Sequence, residues 1–289
     1  MSGPSQKIPS KIGPFHIEKK LGHGGSSVVF LGKTSSGKIA AIKLLDHWIA
    51  PDEQSRNRFL REIKQNRTFQ DPRLVKIYGA GSFQGNPYFS MEYVSGPTLD
   101  DFLNHQGELP FKDVLRVIEE TLLGLEVLHK ENVVHRDLKP GNLFLTGPLK
   151  KVKIGDFGLA KQVNDLDLTL DNQRIGTPAY MSPEQCKGGS LTLAADIYQM
   201  GILSYRLALG RVPFEGNNFF KLSMKHLASA PPSMRTDFPE IPEEFEYFVF
   251  CALEKRPKRR FQNASQMLKS LREVKETIRS QPDKAGLIG

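Results

Sequence analysis

Two hydrophobic periods divide the chain, and a fold must satisfy both in sequence order. From Phe15 to about Tyr93 the apolar residues fall in short β-favouring runs, FHIEKKLG, SVVFLGK, KIAAIKLL, VKIYGAGSF and PYFSMEYV, separated by Gly, Ser and Asn turns. One segment departs from this pattern: in SRNRFLREIKQNRTF, Phe59, Leu60 and Ile63 recur at helical spacing, which predicts a single helix on a small sheet. After SGPTLDDFL the period changes. Val114, Ile118, Leu122, Leu125 and Leu128 follow at intervals of four, four, three and three, one buried face of a helix within 111–130. Further helices are expected at about 183–188, 194–209, 217–228, 243–254 and 263–278, with a few short strands around 133–155. The expected class is α+β: a flexible arm over 1–12, a β-rich lobe over 13–94, a mostly α-helical lobe over 95–278 and a tail over 279–289. No internal repeat or low-complexity tract interrupts this order.

At 289 residues, 39% hydrophobic and 25% charged, the chain can bury one large core or two smaller ones. The net charge of +8 favours anionic partners only modestly for this length. Its densest basic run, EKRPKRR at 254–260, stands alone without a nucleic-acid motif, and such runs are ordinarily solvated faces, so no nucleic-acid partner is expected. Cys186 and Cys251 are far apart and unpaired in pattern, which suggests neither a disulfide framework nor a zinc site and fits a reducing compartment. The most apolar stretches, YFVFCAL and GILSYRLALG, fall short of the roughly 18 residues a membrane span requires. MSGPSQKIPSK lacks the apolar centre of a secretory signal. A cytoplasmic location with no membrane segment in these residues is the expectation; an anchor beyond them stays open.

Two segments could cradle phosphate. LGHGGSSVVF places Gly22, Gly24 and Gly25 between two strands, where missing side chains let backbone N–H groups approach an anion, although a tight hairpin alone accounts for them. GKTSSGKI at 32–39 nearly meets a nucleotide-loop pattern, but Ile39 stands where a hydroxyl belongs and a strand follows where a helix is required, so it reads as a hairpin turn. The strand AAIK then ends in Lys43, and Glu62 lies on the lone helix of this lobe. Lysine beside a Gly-rich hairpin can hold phosphate oxygens, and a facing carboxylate would fix its geometry.

VVHRDLKPGNLFL, residues 133–145, packs Asp137, Lys139 and Asn142 into six positions between two strand-like triplets. Apolar anchors on both sides pin a short loop, which is where reacting groups can be held closely. Downstream, KIGDFGLA ends another strand in Asp156. Oxygen donors converging from Asn142 and Asp156 would suit Mg²⁺.

Taken in order, these motifs resemble the eukaryotic-type (Hanks-type) protein kinase family over about residues 13–275. Gly22-His23-Gly24-Gly25-Ser26-Ser27-Val28-Val29 is similar to the glycine-rich loop, with Leu21 before it. Ala41-Ile42-Lys43 is similar to the strand lysine, Glu62 to its helix partner, His135-Arg136-Asp137 through Asn142 to the catalytic loop, and Asp156-Phe157-Gly158 to the metal-binding turn. Ser182-Pro183-Glu184 stands where the family usually has Ala-Pro-Glu, with Asp196 and Arg260 matching the aspartate that braces the catalytic loop and the arginine that pairs with Glu184.

The resemblance implies a bilobal fold and ATP-dependent phosphorylation of protein Ser or Thr with ATP and Mg²⁺. Lys43 would hold the α- and β-phosphates, Asn142 and Asp156 would bind the metal, and Asp137 would take the hydroxyl proton. Lys139 would steady the γ-phosphate, as in Ser/Thr-directed members. Glu92, Tyr93 and Val94 would line the adenine, with Met91 behind it and Val29 and Ala41 on its faces. Two departures stand out: Ser27 replaces the third glycine, and Asn66 lies one turn after Glu62 where an apolar residue is usual.

The 29 residues from Asp156 to Glu184 are too long for a purely structural connection. Family members with an arginine at the position of Arg136 commonly grip a phosphorylated loop residue with it; the resemblance nominates Thr169, with Asp171 as a second, acidic position. Thr177 would contact the catalytic Asp and Lys as a structural residue. GTPAYMSPEQ and DIYQMGILSYRLALGRVPF look most like bacterial members, which often carry a membrane helix and outer sensor and pair as homodimers, an arrangement that would permit autophosphorylation in trans. The rival readings are a nucleotide-binding pseudokinase, which would have lost a catalytic group, and a small-molecule kinase, which generally lacks the long segment ending in SPE.

Overall fold

Alternation of side chains across a pleated strand sets the first compact unit, and helical periodicity sets the second. The structure is a computed structural model, and it describes residues 8–24, 27–45, 63, 66–147, 151–157, 178–281 and 285–287. The first unit holds the described residues up to Gln70 together with Val75–Ser95; the second holds Asp71–Leu74 and the described chain from Gly96 onward.

In the first unit, strands β1 (Lys11–Ile12), β2 (Phe15–Gly24), β3 (Ser27–Thr34), β4 (Ile39–Leu45), β5 (Ile77–Phe83) and β6 (Asn86–Met91) form one antiparallel sheet in the order β1-β2-β3-β4-β6-β5. Because successive side chains point to opposite faces, Val28 and Phe30 of β3 join Ala40, Ile42 and Leu44 of β4 in one apolar cluster with Ile12, Phe15 and Tyr88. Each large side chain so buried contributes about 1.5–3 kcal/mol. GKTSSGKI is the β3–β4 hairpin turn, closed by Thr34 N–H to the Lys38 carbonyl at 2.9 Å and Gly37 N–H to the Thr34 carbonyl at 2.9 Å, with Gly37 at φ 87°, where a side chain would be strained. Lys11 and Ile12, expected within a flexible arm, belong to the sheet: they pair with His16 and Phe15, and Ile12 is fully buried. A two-residue strand has no period of its own to betray it. The helix expected around Glu62 lies mostly outside the described residues; Ile63 and Asn66, which are described, are helical and buried.

The second unit contains α1 (Leu99–Gln106), α2 (Phe111–Lys130), the hairpin β7 (Leu143–Thr146) and β8 (Lys151–Ile154), α3 (Pro183–Cys186), α4 (Leu193–Leu209), α5 (Phe219–Ala228), α6 (Glu243–Ala252) and α7 (Ala264–Ser280). The face read from the intervals on α2 is the face it buries: Val114, Ile118, Leu122, Leu125 and Leu128 are all within 1% of full burial. Helix α4 is apolar on nearly every side and runs through the core, with Ala194 to Tyr205 buried throughout. The α1 helix was not anticipated. It starts at a reciprocal cap, the Thr98 hydroxyl accepting the Asp101 N–H at 3.0 Å while Asp101 accepts the Thr98 N–H at 3.1 Å. Among the described residues no helix is long and apolar enough to cross a membrane.

Candidate active site

The loop between α2 and β7 carries Asp137, Lys139 and Asn142, and it is held almost wholly by side chains from elsewhere in the second unit. Leu138, between Asp137 and Lys139, and Leu143, after Asn142, are fully buried and pin the loop from within and behind; Val133 and Val134, expected as a strand on the leading side, are irregular and half-buried, and His135 is the buried residue there. The turn Pro140–Asn142 then brings Asn142 back over Asp137: its Nδ2 donates to the Asp137 carbonyl at 2.7 Å and to Asp137 Oδ2 at 3.0 Å. Lys139 Nζ reaches the same Oδ2 at 2.8 Å, and both partners are partly shielded from water, with side chains 21% and 30% exposed. The three residues of the motif therefore form one cluster, with the carboxylate at its centre.

Asp196, near the start of α4, braces the loop from beneath. Fully buried, it accepts the His135 N–H at 2.7 Å on Oδ2 and the Arg136 N–H at 2.9 Å on Oδ1, and takes a third hydrogen bond from His129 Nε2 at 3.0 Å. Burial alone would raise the pKa of this carboxyl, but the hydrogen bonds it accepts from His129 Nε2 and from the Arg136 N–H outweigh it and hold the pKa below the ordinary aspartate value. His129 Nδ1 accepts the Ala264 N–H at 3.0 Å, so its proton sits on Nε2, facing Asp196; the same ring ties the end of α2 to the start of α7. His135 is read the same way. Its Nδ1 accepts the Asp137 N–H at 3.3 Å and its Nε2 donates to the Gly155 carbonyl at 2.9 Å, and burial lowers its pKa, so the ring is neutral.

Two residues of this cluster adopt left-handed backbone: Arg136 at φ 74° and Asp156 at φ 54°. Neither is glycine, and each such conformation costs on the order of 1–3 kcal/mol unless the surroundings impose it. At Asp156 the imposing contacts are neighbours of the Asp137 loop, since the Gly155 N–H donates to the Asn142 carbonyl at 2.9 Å and Phe157 is 2% exposed. The β7–β8 hairpin thus carries the Asn142 and Asp156 ends of the two loops side by side. Asn142 directs its nitrogen at Asp137, which turns its amide oxygen to the opposite side; with the Asp156 carboxylate this gives two hard oxygen donors, a set that fits Mg²⁺.

Arg260 and Glu184 meet as the motif order implied. Nη1 and Nη2 of Arg260 donate to Oε1 and Oε2 of Glu184 at 2.8 and 2.9 Å, and the remaining N–H groups go to the carbonyls of Ala194, Glu254 and Lys255. Every guanidinium hydrogen has a partner, as a buried charge requires.

In the first unit the strand register collects the expected nucleotide residues on one face. Gly22, Val29, Lys43 and Phe89 are consecutive cross-strand partners, and Leu31, Ala41 and Met91 form the adjoining row. Lys43 Nζ lies 6.0 Å from the Phe89 ring centre. A Cβ built on Gly22 would meet no atom within 4 Å, so packing within this unit does not demand glycine there. Val28 departs from the group: one residue out of phase, it belongs to the apolar cluster on the opposite face with Phe30 and Leu44. Glu92 N–H donates to the Lys76 carbonyl at 2.8 Å, and Tyr93 and Val94 continue as irregular, half-buried chain. Leu21 and His23 are exposed on β2 and Ser27 is buried at the start of β3, while Gly24 lies at the end of β2. Gly25, Ser26, Glu62, Gly158, Thr169, Asp171 and Thr177 lie outside the described residues.

Residues 15–271 match the protein kinase domain family. The chain belongs to that family. Among curated kinases, it is 32% identical to the probable serine/threonine-protein kinase PknB of Lactococcus lactis and 33% identical to the serine/threonine-protein kinase PrkC of Bacillus subtilis, each over 88% of this chain but only 41% and 39% of the relative. It is 34% identical to PknA of Corynebacterium glutamicum over 88% of this chain and 54% of that kinase. This kinase chain thus spans about two fifths of the length of the first two. The crystal structure of the Mycobacterium tuberculosis PknI kinase domain shares its fold, with a TM-score of 0.74 at 22% identity over 93% of this chain and 99% of the other.

The kinase motifs omitted three residues that the structure places in the loop's support, His129, Gln185 and Gln199. Each acts through contacts distant in sequence. The only local signal was the Ser182-x-x-Gln185 spacing, which is a helix-capping pattern.

Proposed function

We propose that this chain transfers the γ-phosphoryl group of ATP to Ser or Thr hydroxyls of protein substrates, with Asp137 as the base. The observation that carries this reading is the Asp137 carboxylate held through Oδ2 by Lys139 Nζ at 2.8 Å and Asn142 Nδ2 at 3.0 Å. Both contacts fall on one oxygen, which leaves Oδ1 to orient an acceptor hydroxyl and receive its proton. Lys139, two residues from the base, is placed to steady the phosphoryl oxygens in flight. Lys43 on β4 would hold the α- and β-phosphates. Mg²⁺, when bound by Asn142 and Asp156, would neutralise the charge of the triphosphate. Leu21 to Ser27 would cover the phosphates, Val29 and Ala41 would flank the adenine, and Met91 to Val94 would line it; the names of the relatives, serine/threonine-protein kinases, support the choice of acceptor.

The test is phosphate transfer to a generic protein acceptor, followed by mass spectrometry of the modified residues. Wild type is expected to modify Ser and Thr, and Asp137→Asn to lose at least about a hundredfold in kcat with its KM for ATP retained. Nucleotide binding without transfer by wild type would instead make the chain a pseudokinase scaffold.

Regulation follows from Arg136, which directly precedes the base. Phosphorylation of Thr169 would order the segment after Asp156 through charge-assisted hydrogen bonds to that guanidinium. Thr169→Ala should slow an autophosphorylation time course, and unchanged kinetics would exclude Thr169. If two copies pair and act in trans, the rate per molecule rises with protein concentration.

A further inference from the structure

We propose that Gln199 is a positioning residue for Asp137, and that Gln185 shares the task by linking the segment that ends at Glu184 to the same loop. This rests on the assignment of Asp137 as the base. Gln199 lies three residues after Asp196 on α4 and is 2% exposed. Its Oε1 accepts the Leu138 N–H at 2.8 Å, and its Nε2 donates to the Arg136 carbonyl at 2.9 Å and to Gln185 Oε1 at 3.0 Å. The orientation of the amide is dictated by its partners: an N–H must meet the oxygen, and a carbonyl must meet the nitrogen.

These bonds fall on the two peptide planes that flank Asp137. In the first, the Arg136 carbonyl receives both Gln199 Nε2 and Gln185 Nε2, the latter at 2.7 Å, while the Asp137 N–H goes to His135 Nδ1. In the second, the Leu138 N–H goes to Gln199 Oε1, and the Asp137 carbonyl receives Asn142 Nδ2. With both planes fixed, φ and ψ of Asp137 are fixed, and so is the direction in which its carboxylate leaves the backbone. Gln199 spans both planes with one planar group. Asp196 does not do this, because its contacts end at the Arg136 N–H, before the first plane.

Gln185 carries the coupling. It follows Glu184, which Arg260 grips, and its Oε1 also caps the Ser182 N–H at 2.9 Å. Displacing α3 would therefore withdraw one of the two donors on the Arg136 carbonyl and loosen the first plane. The end of the long segment and the base are joined by a single amide.

The test measures kcat, KM for ATP and thermal midpoint in the purified chain. Gln199→Met, similar in shape but unable to hydrogen-bond, is expected to lower kcat at least about tenfold with KM unchanged, and Gln199→Glu, which sets an oxygen against the Arg136 carbonyl, about a hundredfold. Gln185→Met is expected to lower kcat severalfold, and adding it to Gln199→Met to lower it by less than the product of the two single effects, since both amides act on one carbonyl. In the Asp137→Asn background, Gln199→Met should change residual transfer by less than twofold. Wild-type kcat in Gln199→Met beside an inactive Asp137→Asn overturns the role of Gln199 alone; wild-type transfer by Asp137→Asn overturns the base assignment itself. If Gln199→Met does not fold, Gln185→Met with an unchanged midpoint decides: wild-type kcat there overturns the proposal, and a severalfold loss sustains it.

Discussion

Arg260 and Glu184 lie 76 positions apart and join through two parallel hydrogen bonds, at 2.8 and 2.9 Å, with the arginine side chain fully buried. The pair secures the far end of the long segment to the body of the helical unit. Lysine in place of the arginine keeps the charge but loses the fork and leaves buried carbonyls unsatisfied. Arg260→Lys should therefore cost about 3 kcal/mol, read as a drop of roughly 5–10 °C in the thermal midpoint.

Asp196→Asn should separate positioning from nucleotide binding. The amide is nearly the same shape, but one of its ends now presents N–H to the donors that the carboxylate satisfied, namely His129 Nε2 and the His135 and Arg136 N–H groups. The Arg136 turn then relaxes from its left-handed conformation. Steady-state kinetics should show kcat lower by about a hundredfold and KM for ATP within about twofold of wild type.

Acid should weaken the helical unit through His226. Burial, aided by the nearby Lys255 charge and opposed by the Pro178 carbonyl, pushes the pKa of this ring down to about 4 from an ordinary 6.5. Its Nδ1 meets the Tyr198 hydroxyl at 2.9 Å, and Phe214 packs edge-on to it. Between these two pH values the unfolded chain binds a proton that the folded chain refuses. Stability is thus complete above about pH 6.5 and falls as pH drops toward 4, by up to about 3 kcal/mol from this group. Urea titrations at pH 7.5, 6 and 5 should show the decline, and His226→Gln should flatten it.

Gly96→Ala tests a close crossing. A Cβ at Gly96 would lie 1.8 Å from the Leu145 carbonyl oxygen, a backbone atom held in place because the Leu145 N–H donates to the Pro97 carbonyl at 2.9 Å. The bend at Gly96 and strand β7 must separate to admit a methyl group. A loss of about 2–3 kcal/mol is expected, measured by urea unfolding at neutral pH.

The elements legible in the sequence are those whose period is long enough to show. The face of α2 runs from Val114 to Leu128, about four turns, and was legible residue by residue, and β3 and β4 declared themselves as short apolar, β-favouring runs between turn residues. Lys11–Ile12 is two residues, and Leu99–Gln106 is eight, with polar Asp100, Asp101, Asn104 and His105 diluting its apolar positions; only the capping pattern from Thr98 marks it. In the site, Asp137, Lys139 and Asn142 were visible because the loop is contiguous. Val28 was misplaced by reading a contiguous motif as one surface, when the pleat sends Val28 and Val29 to opposite faces. His129 and Gln199 carry no local sign of their work and Gln185 shows only its capping spacing from Ser182, since the bonds that support the loop reach residues 49 to 135 positions away.

Asp196 and Gln199 enter the chain some sixty residues after the loop they secure. A nascent polypeptide that stops at Ser190 would contain His135 to Asn142 and Asp156 intact, and would still lack the acceptors that seat His135, Arg136 and Leu138. Translation delivers the reacting groups first and their mountings last. Products truncated before Asp196 would then hold the reacting groups without the side chains that seat them.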